Sequence, residues 1–349
     1  MSVRTVVAAD PVTHPLWRAL AEGPHGSLFT SPPWLAVLRR TYGFVPECRI
    51  AIGPGGEPAG GLVWVTLDDP RGRRRSALPF SDRADPLTDD EDTWAALLAA
   101  SGAGEEPFAL RCLAGSPALA DSRLRVTDEA AWHGTPLDQG LDDLRTRISS
   151  ASRRNLAAAD RAGVRVEVRD DLDAVRWFHG MHVRLRKEKY RLLAQPLGFF
   201  EHLWAEFAPA DAILTLLAKV GDEVVAGAVF LEWSGVLYYK FGASRREHLT
   251  LRPNDALYWA GIRYGVQRGL RLVDWGLSDL DQPRLVAFKR KWATTETPLL
   301  TLRSGTAAPR ADQEQLGAVL GGLTRLLTEP SVPDGVTAEA GALLYRYFC

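Results

Sequence analysis

The sequence predicts an α/β protein with mixed α+β sheets, divided into two domains. Its 349 residues exceed what one hydrophobic core usually organises, since single cores stop growing at roughly 250–300 residues. Short apolar runs bounded by glycine or proline alternate with amphipathic stretches along most of the chain. We place the first domain at residues 1–140 and the second at 141–310, with a tail at 311–349.

The first half indicates alternating helices and strands. Ser31 can cap a helix whose first turn contains Pro32 and Pro33, which is a typical helix start. Glycine-rich turns separate the strand-like runs that follow. The predicted helices are 15–22, 31–42 and 90–101, and the predicted strands are 47–52, 61–67 and 108–113.

The second half has a more informative order: helix, strand, helix, helix, three hairpin strands, helix, strand, short helix, strand. A long helical region, 138–162, has a break near Ser149 and ends at Gly163, as a helix C-terminus often does. The later predicted helices are 170–191, 198–207 and 253–268, and the predicted strands are 164–168, 213–220, 224–233, 236–243, 271–275 and 298–302.

Charge is balanced over the whole chain but clustered locally. The net charge of −1 gives no global field that would attract nucleic acid. Basic residues are nevertheless concentrated in three segments, 145–165, 184–191 and 284–292. These clusters form either a basic binding face or ordinary solvated helix faces, and the sequence leaves both interpretations open.

Cysteine and histidine usage predicts neither a disulfide framework nor a metal site. Cys48, Cys112 and Cys349 are widely spaced, and two of them lie in apolar runs. His179 and His182 share a helix face but lack a third ligand, so we interpret them as structural. A reducing cytoplasm fits these cysteines, and the composition suggests a bacterium. We see no signal peptide and no run approaching the roughly 20 apolar residues of a membrane span.

Residues 269–292 contain the candidate chemistry. The segment starts as an apolar strand, breaks at Gly276 into a polar loop, and ends in a cationic run flanked by aromatics. Asp274 falls at the carboxyl edge of the strand, where α/β sheets usually bind ligands, and Lys289 follows after one loop. A lysine there can stabilise the oxyanion of an acyl-transfer reaction. The alternative is a strand, a turn and a solvated basic helix. Asp274 either orients a substrate amine or caps the loop.

Several motifs carry a resemblance to a known family. They are Arg153-Arg154-Asn155-Leu156, Tyr238-Tyr239-Lys240-Phe241-Gly242-Ala243, Pro253, Asp274-Trp275-Gly276 and Phe288-Lys289 with Trp292, together with Pro33-Trp34 and Leu78-Pro79-Phe80-Ser81-Asp82 in the first half. Their order resembles the GNAT acyltransferase fold and, more narrowly, the Fem-type (FemABX-like) aminoacyl-tRNA-dependent transferases. The resemblance covers most of residues 28–303.

The resemblance implies two tandem GNAT-like domains and an enzyme that forms amide bonds without a cofactor. The donor would be aminoacyl-tRNA, and the acceptor an amine of a peptide-like, cell-wall precursor or secondary-metabolite molecule. Lys289 takes the oxyanion-stabilising position of the Phe-Lys motif, with Asp274 beside it. Relatives also imply that the tail, 311–349, returns to pack on the first domain.

We assign the remaining candidate residues to two groups. The predicted substrate-binding residues are Tyr239, Lys240, Trp275, Ser278, Phe288, Arg153 and Asn155. The predicted donor-phosphate or tRNA-binding residues are Arg245, Arg246, Arg252, Arg290 and Lys291. Because Tyr239 and Lys240 alternate along a strand, only one of them can face a given cleft.

The identity of the donor is the main open question. Acyl-CoA enzymes of this fold hold pyrophosphate on a glycine-rich loop at a helix N-terminus. The corresponding stretch here, 244–254, has no glycine, and Pro253 removes one N–H donor. An acyl-CoA-dependent N-acyltransferase therefore remains as an alternative. A non-catalytic binding module is a second alternative, disfavoured by the intact segment 274–289. Oligomeric state stays open.

Overall fold

The computed structural model describes residues 5–69, 71–103, 106–304 and 311–349, with backbone alone at 311–313. The chain divides into two compact units. The first comprises Met1–Ala131, Thr297–Gly321 and Cys349, and the second comprises Trp132–Glu296 and Gly322–Phe348. The predicted mixed α/β class is confirmed in both units.

The first unit is a mixed sheet flanked by helices. Its elements before the boundary are β1 (Thr5–Ala9), α1 (Pro15–Glu22), α2 (Pro32–Tyr42), β2 (Pro46–Ile52), β3 (Pro58–Asp69), β4 (Gly72–Ser76), α3 (Glu91–Ala100), β5 (Phe108–Leu113) and the first part of β6 (Leu124–Pro136). Strands β1 to β4 are antiparallel neighbours in sequence order, and β4 pairs with β5 in parallel.

Buried tryptophans form much of the core of this unit. Trp17, Trp34 and Trp64 are fully buried. The predicted cap of α2 is confirmed, because Ser31 Oγ accepts a hydrogen bond from the backbone N–H of Trp34 at 3.3 Å. Such a cap stabilises a helix by about 1 kcal/mol. The helix ends at Gly43, whose φ of 70° suits glycine.

The second unit contains the longer run of elements. They are the end of β6, α4 (Leu141–Arg147), α5 (Ser150–Arg161), β7 (Val164–Arg169), α6 (Leu172–Leu185), α7 (Leu197–Phe207), β8 (Ile213–Val220), β9 (Glu223–Trp233), β10 (Val236–Ser244), α8 (Pro253–Gln267), β11 (Leu272–Asp279) and α9 (Pro283–Lys289). Strands β7 to β10 are antiparallel neighbours, and β10 pairs with β11 in parallel.

The chain then returns to the first unit along β12 (Thr295–Ser304), which pairs antiparallel with β5. Helices α10 (Ala311–Leu327) and α11 (Asp334–Leu344) follow. The first boundary, at Ala131, falls inside β6 and before the predicted one at residue 140.

The two faces of the sheet in the second unit are covered by different helices. Phe230 and Gly227 of β9 are three residues apart, so their side-chain positions point to opposite faces. A Cβ built on Gly261 of α8 lies 2.7 Å from the Phe230 ring, whereas one built on Gly227 lies 3.1 Å from Phe178 of α6. Helix α8 therefore covers one face of the sheet and α6 covers the other.

Several predicted elements are confirmed with small boundary changes. The three hairpin strands lie where the turn signals at Gly221 and Gly235 predicted them. The break near Ser149 is also confirmed: this residue is the N-cap of α5, and its hydroxyl accepts from the Ser152 N–H at 3.0 Å.

Other boundaries were wrong for identifiable reasons. The helix predicted over 170–191 ends at Leu185 and widens into a π-helical turn, Arg186–Tyr190. The strand predicted to stop at Gly276 continues as β11 to Asp279. Gly276 adopts a φ of 73° inside the strand, and its N–H donates to Asp274 Oδ1 at 2.7 Å. The glycine marks an irregularity within the strand instead of its end.

The tail prediction is also corrected. Residues 322–348 belong to the second unit, while 311–321 and Cys349 belong to the first. The buried ammonium group of Lys187 donates to the Val332 carbonyl and, at 2.8 Å, to Asp334 Oδ1. A Cβ built on Gly341 would lie 2.3 Å from the Ala194 carbonyl oxygen, so α11 approaches that backbone very closely. These contacts hold α11 on the second unit.

Candidate active site

Strands β10 and β11 begin as a parallel pair and then part. Their paired residues run from Val236 with Leu272 to Tyr238 with Asp274. Beyond this point both strands continue, to Ser244 and Asp279, but the described residues show no further pairing between them. Parting strands leave an opening at the carboxyl edge of the sheet, where α/β folds bind ligands.

A β-bulge at Lys240 shapes β10 at this opening. Tyr239 pairs with Phe230 of β9, and Phe241 pairs with Val229, so Lys240 is the extra residue. The bulge sends Tyr239 and Phe241 to opposite faces. Tyr239 packs on the α8 side, whereas the Phe241 ring lies 5.6 Å from the ring of His182 in α6. The regular alternation predicted for Tyr239 and Lys240 is interrupted by this bulge, and the residues that divide between the two faces are Tyr239 and Phe241.

An aromatic group lines the opening on the α8 side. The hydroxyls of Tyr239 and Tyr258 are 3.1 Å apart and share a hydrogen bond. The Tyr258 ring centre lies 5.5 Å from that of Trp275, 5.3 Å from Phe288 and 5.6 Å from Trp292. Burial raises the pKa of Tyr239 to about 12 and raises the pKa of Tyr258 as well. Both hydroxyls are therefore protonated at neutral pH and act as hydrogen-bonding groups, not bases.

Lys289 lies at the last position of α9, next to β11. Its ammonium group donates to the Leu277 carbonyl oxygen at 2.5 Å, and the side chain is half-buried. This contact holds the cation against β11, one of the two strands that bound the opening. A cation in this position can stabilise negative charge on an acyl oxygen. The role predicted for Lys289 stays a prediction, and the geometry is compatible with it.

The two other candidates on β11 are less accessible. Asp274 is buried, and its Oδ1 accepts from the Gly276 N–H, which is the capping contact allowed by the sequence. Ser278 is fully buried, and its hydroxyl has no hydrogen-bond partner among the described residues. The indole N–H of Trp275 donates to Thr135 Oγ1 at 2.9 Å, which fixes the Trp275 ring against β6.

The N-terminus of α8 already contains an acid. Arg252 adopts a left-handed φ of 61°, Pro253 begins the helix, and Asp255 lies buried in its first turn. The Asn155 amide donates to both carboxylate oxygens of Asp255, at 3.2 and 3.3 Å. The pKa of Asp255 is raised, because burial outweighs the Asn155 hydrogen bond and the charges of Lys291 and Arg252, which act in the opposite direction. Asn155, predicted to bind substrate, instead holds this carboxylate.

The predicted phosphate-binding cations are divided between paired and open positions. Arg245 contacts Glu223 at 2.5 Å, and Arg290 forms two bonds to Glu296 at 2.7 and 2.6 Å. Arg246 and Arg252 are exposed, and Lys291 lies 6.0 Å from the Phe288 ring centre. Arg153 donates to the Thr146 and Ile148 carbonyls, which fixes the junction of α4 and α5. The structure therefore does not gather all these residues at one point.

Sequence reasoning missed three residues of this region. Tyr258 and Asp255 were read only as part of α8, because their partners lie far away in the chain. His133 of β6 is fully buried, and neither ring nitrogen has a hydrogen-bond partner among the described residues. Burial and the charge of Lys289 lower the pKa of His133 to about 4. The imidazole is therefore neutral at neutral pH, and its Nδ1 lies 3.5 Å from Glu296 Oε2.

The two histidines of α6 have structural partners. The ring nitrogen Nε2 of His179 lies 3.1 Å from the Gln195 carbonyl oxygen, and that of His182 lies 2.9 Å from Gln195 Oε1. In the part of the chain that the structure describes, no group of three metal-ligating side chains is close enough to hold a metal ion. Over the same residues, no helix has the length and apolar character needed to cross a membrane.

Comparison with known proteins agrees with this geometry. Residues 143–290 match the family model described as an Acetyltransferase (GNAT) domain. The chain superposes on the crystal structure of FemX with a TM-score of 0.67 and 14% identity, covering 91% of this chain and 100% of that one. No curated protein matches the sequence.

Two further solved structures have similar folds. A tandem GNAT protein from the clavulanic acid biosynthesis pathway gives a TM-score of 0.53 at 14% identity, covering 87% of this chain and 99% of that one. L-PGS from Bacillus licheniformis gives 0.50 at 15% identity, covering 84% and 93%. At these identities the likeness concerns the fold.

The parted strands, the family match and these folds define the class of protein. The match of residues 143–290 identifies the second unit as an enzyme domain of the GNAT acyltransferase type. The chain has a Fem-type fold of two GNAT-like units, which confirms the fold and the family resemblance predicted from the sequence.

Proposed function

We propose that the protein is an amide-forming aminoacyltransferase that uses aminoacyl-tRNA as donor and needs no cofactor. The acceptor is the amine of a peptide-like, cell-wall precursor or secondary-metabolite molecule. The observation that carries this proposal is the α8 N-terminus, where a buried carboxylate lies in the first turn of a helix end of the kind on which acyl-CoA enzymes bind pyrophosphate. The Fem-type resemblance supplies the class of donor.

The reaction is a transfer of the acyl group from oxygen to nitrogen. The neutral acceptor amine attacks the ester carbonyl carbon of the charged tRNA, which forms a tetrahedral intermediate with negative charge on oxygen. Lys289 stabilises that oxyanion. Collapse breaks the carbon–oxygen ester bond, the terminal ribose hydroxyl leaves with a proton, and the amine loses one proton to give the amide.

The charge at the start of α8 argues against CoA. A helix N-terminus attracts anions through its unpaired N–H groups. Asp255 already provides an anionic side chain there, and Pro253 removes one N–H donor. A pyrophosphate at this helix end would face a buried carboxylate held by Asn155. An ester of tRNA needs no pyrophosphate cradle at this point, since its phosphates can contact side chains such as Arg252 and Lys291.

The acyl-CoA-dependent N-acyltransferase stays as the second candidate, because the matched family model is described as an acetyltransferase domain. The exposed Arg246 and Arg252 offer side-chain contacts to phosphate that a glycine-rich loop would otherwise make. The first proposal includes a cytoplasmic location, because charged tRNA is available in the cytoplasm.

A donor-competition assay tests the proposal. Purified protein is incubated with a defined mixture of amino acids, tripeptides and amino sugars, and with either radiolabelled aminoacyl-tRNA or radiolabelled acetyl-CoA. We expect label to enter an acid-stable amide product from aminoacyl-tRNA only. Prior ribonuclease treatment of the donor and the variant Lys289→Met should both abolish this product.

The outcomes separate the three functions. Label from acetyl-CoA, with none from aminoacyl-tRNA, would overturn the first proposal in favour of the second. Absence of label from both donors, together with donor binding that Lys289→Met leaves unchanged, would favour a non-catalytic binding module.

A further inference from the structure

The second unit contains a cavity of about 970 Å³, lined in part by the donor-binding candidates Arg245 and Arg246. Its walls are α6, the end of β10 with the turn Arg246–Leu251, and α11. All lining residues belong to the second unit. The volume suits a ligand well above the size of one amino acid, since ligand sites for drug-sized molecules span roughly 300–1,000 Å³.

The cavity lies on the α6 face of the sheet, away from the aromatic group beside α8. The two regions meet at the end of β10 and the first turn of α8, because Ser244 and Asn254 both line the cavity. The Asn254 amide donates to Ser244 Oγ at 3.3 Å. An enzyme that joins two substrates needs two sites that converge, and this arrangement provides a second site bordering the first.

Two helical glycines border the cavity without a packing reason. Gly180 lies inside α6 and Gly335 lies in the first turn of α11. A Cβ built on either would meet no heavy atom within 4 Å. A glycine inside a helix is less favourable than alanine by roughly 0.5–1 kcal/mol, and close packing is the usual explanation for it. Here close packing is absent, so both positions leave space free along facing walls.

The wall formed by α11 is fixed in place. Lys187, in the π-helical turn after α6, anchors Val332 and Asp334, and the Arg191 guanidinium donates to the Thr328 carbonyl. Arg184 lies 3.6 Å from the second oxygen of Asp334. The cavity is therefore a built feature of the unit and not a gap beside a loose end.

The mouth of the cavity carries unpaired charges of both signs. Lys189 and Arg246 are exposed cations, and Glu188 and Glu247 are exposed anions. Among the described residues, none of the four lies within ion-pair distance of an opposite charge. Trp177, 36% exposed, adds an apolar surface to the lining. Charges of both signs beside an aromatic surface suit a ligand that has both an ammonium group and a carboxylate.

We propose that this cavity is the acceptor site, and that the acceptor is a zwitterionic amine of short-peptide size. The inference rests on the proposed amide-forming function and narrows its acceptor class. The cations hold the carboxylate of the ligand, the acids attract its ammonium group, and Trp177 covers its apolar side chains.

The test measures peptide binding by the full chain without any donor. The probe is an equimolar mixture of unmodified Ala-X-Ala tripeptides, in which X covers every amino acid except cysteine, observed by saturation-transfer NMR and then calorimetry. We expect binding by members of this mixture. Their N-acetylated and C-amidated forms should each bind roughly three- to tenfold more weakly, since each lacks one charge.

Glycine substitutions test whether the peptides bind inside the cavity. Gly335→Trp and Gly180→Trp fill the cavity from two walls and should each abolish peptide binding, whereas Gly335→Ala should retain it. The matched control is Gly198→Trp, at the second position of α7, where a Cβ also has open space but the residue does not border the cavity. Unchanged thermal midpoints show that the variants fold.

Three results would overturn the inference. They are no binding of the unmodified mixture up to about 10 mM, which corresponds to negligible affinity, equal binding of the capped peptides, and equal binding by the two cavity-filling variants. Because no donor is present, a failed donor assay leaves this test intact. If transfer from tRNA is found but Gly335→Trp transfers at the wild-type rate, the inference fails while the proposed function stands.

Discussion

The two faces of the second unit's sheet differ in packing and in charge. On the α8 face, closely packed aromatic rings line the opening between the parted strands, and the two tyrosine hydroxyls satisfy each other. On the α6 face, a large cavity lies beside two helical glycines. A tightly packed face admits only a narrow group such as an acyl ester, whereas an open face can admit a bulky acceptor. The difference indicates how one sheet could separate two substrates.

The charges follow the same division. On the α8 face, Asp255 is held by Asn155, and Lys289 lies against a backbone carbonyl. At the cavity mouth on the α6 face, Lys189, Arg246 and two glutamates lie in solvent without an opposite charge nearby in the described residues. Preorganised groups suit the stabilisation of a transition state, and solvated charges suit recognition of a ligand that arrives with its own charges.

Lys289→Met tests whether the α8 face performs the chemistry, and we expect the largest effect from it. Turnover should fall by about 10²–10³, or roughly 3–4 kcal/mol in the barrier, while donor affinity changes little. Lys289→Arg should restore only part of the rate, because it keeps the charge but changes the shape. Steady-state kinetics with both substrates varied measures these quantities.

The matched control is Lys219→Met. This lysine lies on β8 and pairs with Glu167 at 2.6 Å. It should retain wild-type turnover. Equal turnover of Lys289→Met and the wild type at saturating substrates would show that neither the lysine nor the α8 face performs the chemistry.

His182 tests the α6 face through the pH dependence of stability. Burial lowers the pKa of His182 to about 3, against 6.5 when unfolded. Between these values the unfolded chain binds the proton and the native one does not, so stability falls as pH falls below about 6.5. One such histidine contributes a slope of about 1.4 kcal/mol per pH unit. His133 and His179, whose pKa values are also lowered by burial, act in the same direction.

We expect His182→Gln to reduce that slope between about pH 6.5 and 4.5, measured as the free energy of unfolding in urea at several pH values. An identical slope for His182→Gln and the wild type would show that this imidazole is not buried as a neutral group.

The comparison of faces also shows what the sequence could predict. The hairpin strands β8 to β10 were predictable, because apolar runs and the turn residues Gly221 and Gly235 are local signals. Strand β4 was missed because three consecutive arginines obscure its alternation. Strand β11 was predicted too short, because a glycine in mid-strand resembles a terminus until its φ and its bond to Asp274 are known.

The same reasoning explains the candidate site. Lys289 could be named because the Phe-Lys motif is local. Asp255 could not, because its partner Asn155 lies 100 residues away and nothing in the helix pattern marks the contact. The cavity depends on α11 returning to α6 across 147 residues of chain, from Lys187 to Asp334. Contacts of such separation follow from tertiary packing, which local patterns do not encode.

Tyr258→Phe tests how strongly the α8 face is preorganised. Removing the hydroxyl leaves the Tyr239 hydroxyl without its 3.1 Å partner in a buried setting. We expect a loss of about 1 kcal/mol in the free energy of unfolding, the usual net value of one hydrogen bond. Tyr239→Phe should give a similar loss, and the double variant should lose less than the sum. Strict additivity in this double-mutant cycle would show that the two hydroxyls do not interact.

The smallest effect concerns anion binding at the start of α8, and it sharpens the choice of donor. Wild-type protein should show no low-micromolar affinity for acetyl-CoA, because Asp255 lies in the first turn and Pro253 lacks an N–H group. Asp255→Asn removes the negative charge but keeps the shape and a contact to Asn155. Charge effects at helix ends amount to about 0.3–1 kcal/mol, so acetyl-CoA affinity should rise by roughly two- to fivefold. Calorimetry at two salt concentrations measures the acetyl-CoA affinity, and the gain should shrink as salt rises.

The matched control is Asp334→Asn, at the first position of α11, which changes the same charge at another helix start. It should leave acetyl-CoA affinity unaltered. Tight acetyl-CoA binding by the wild type would show that the carboxylate does not keep the anion away, and the α8 face would then suit a CoA thioester better than a tRNA ester.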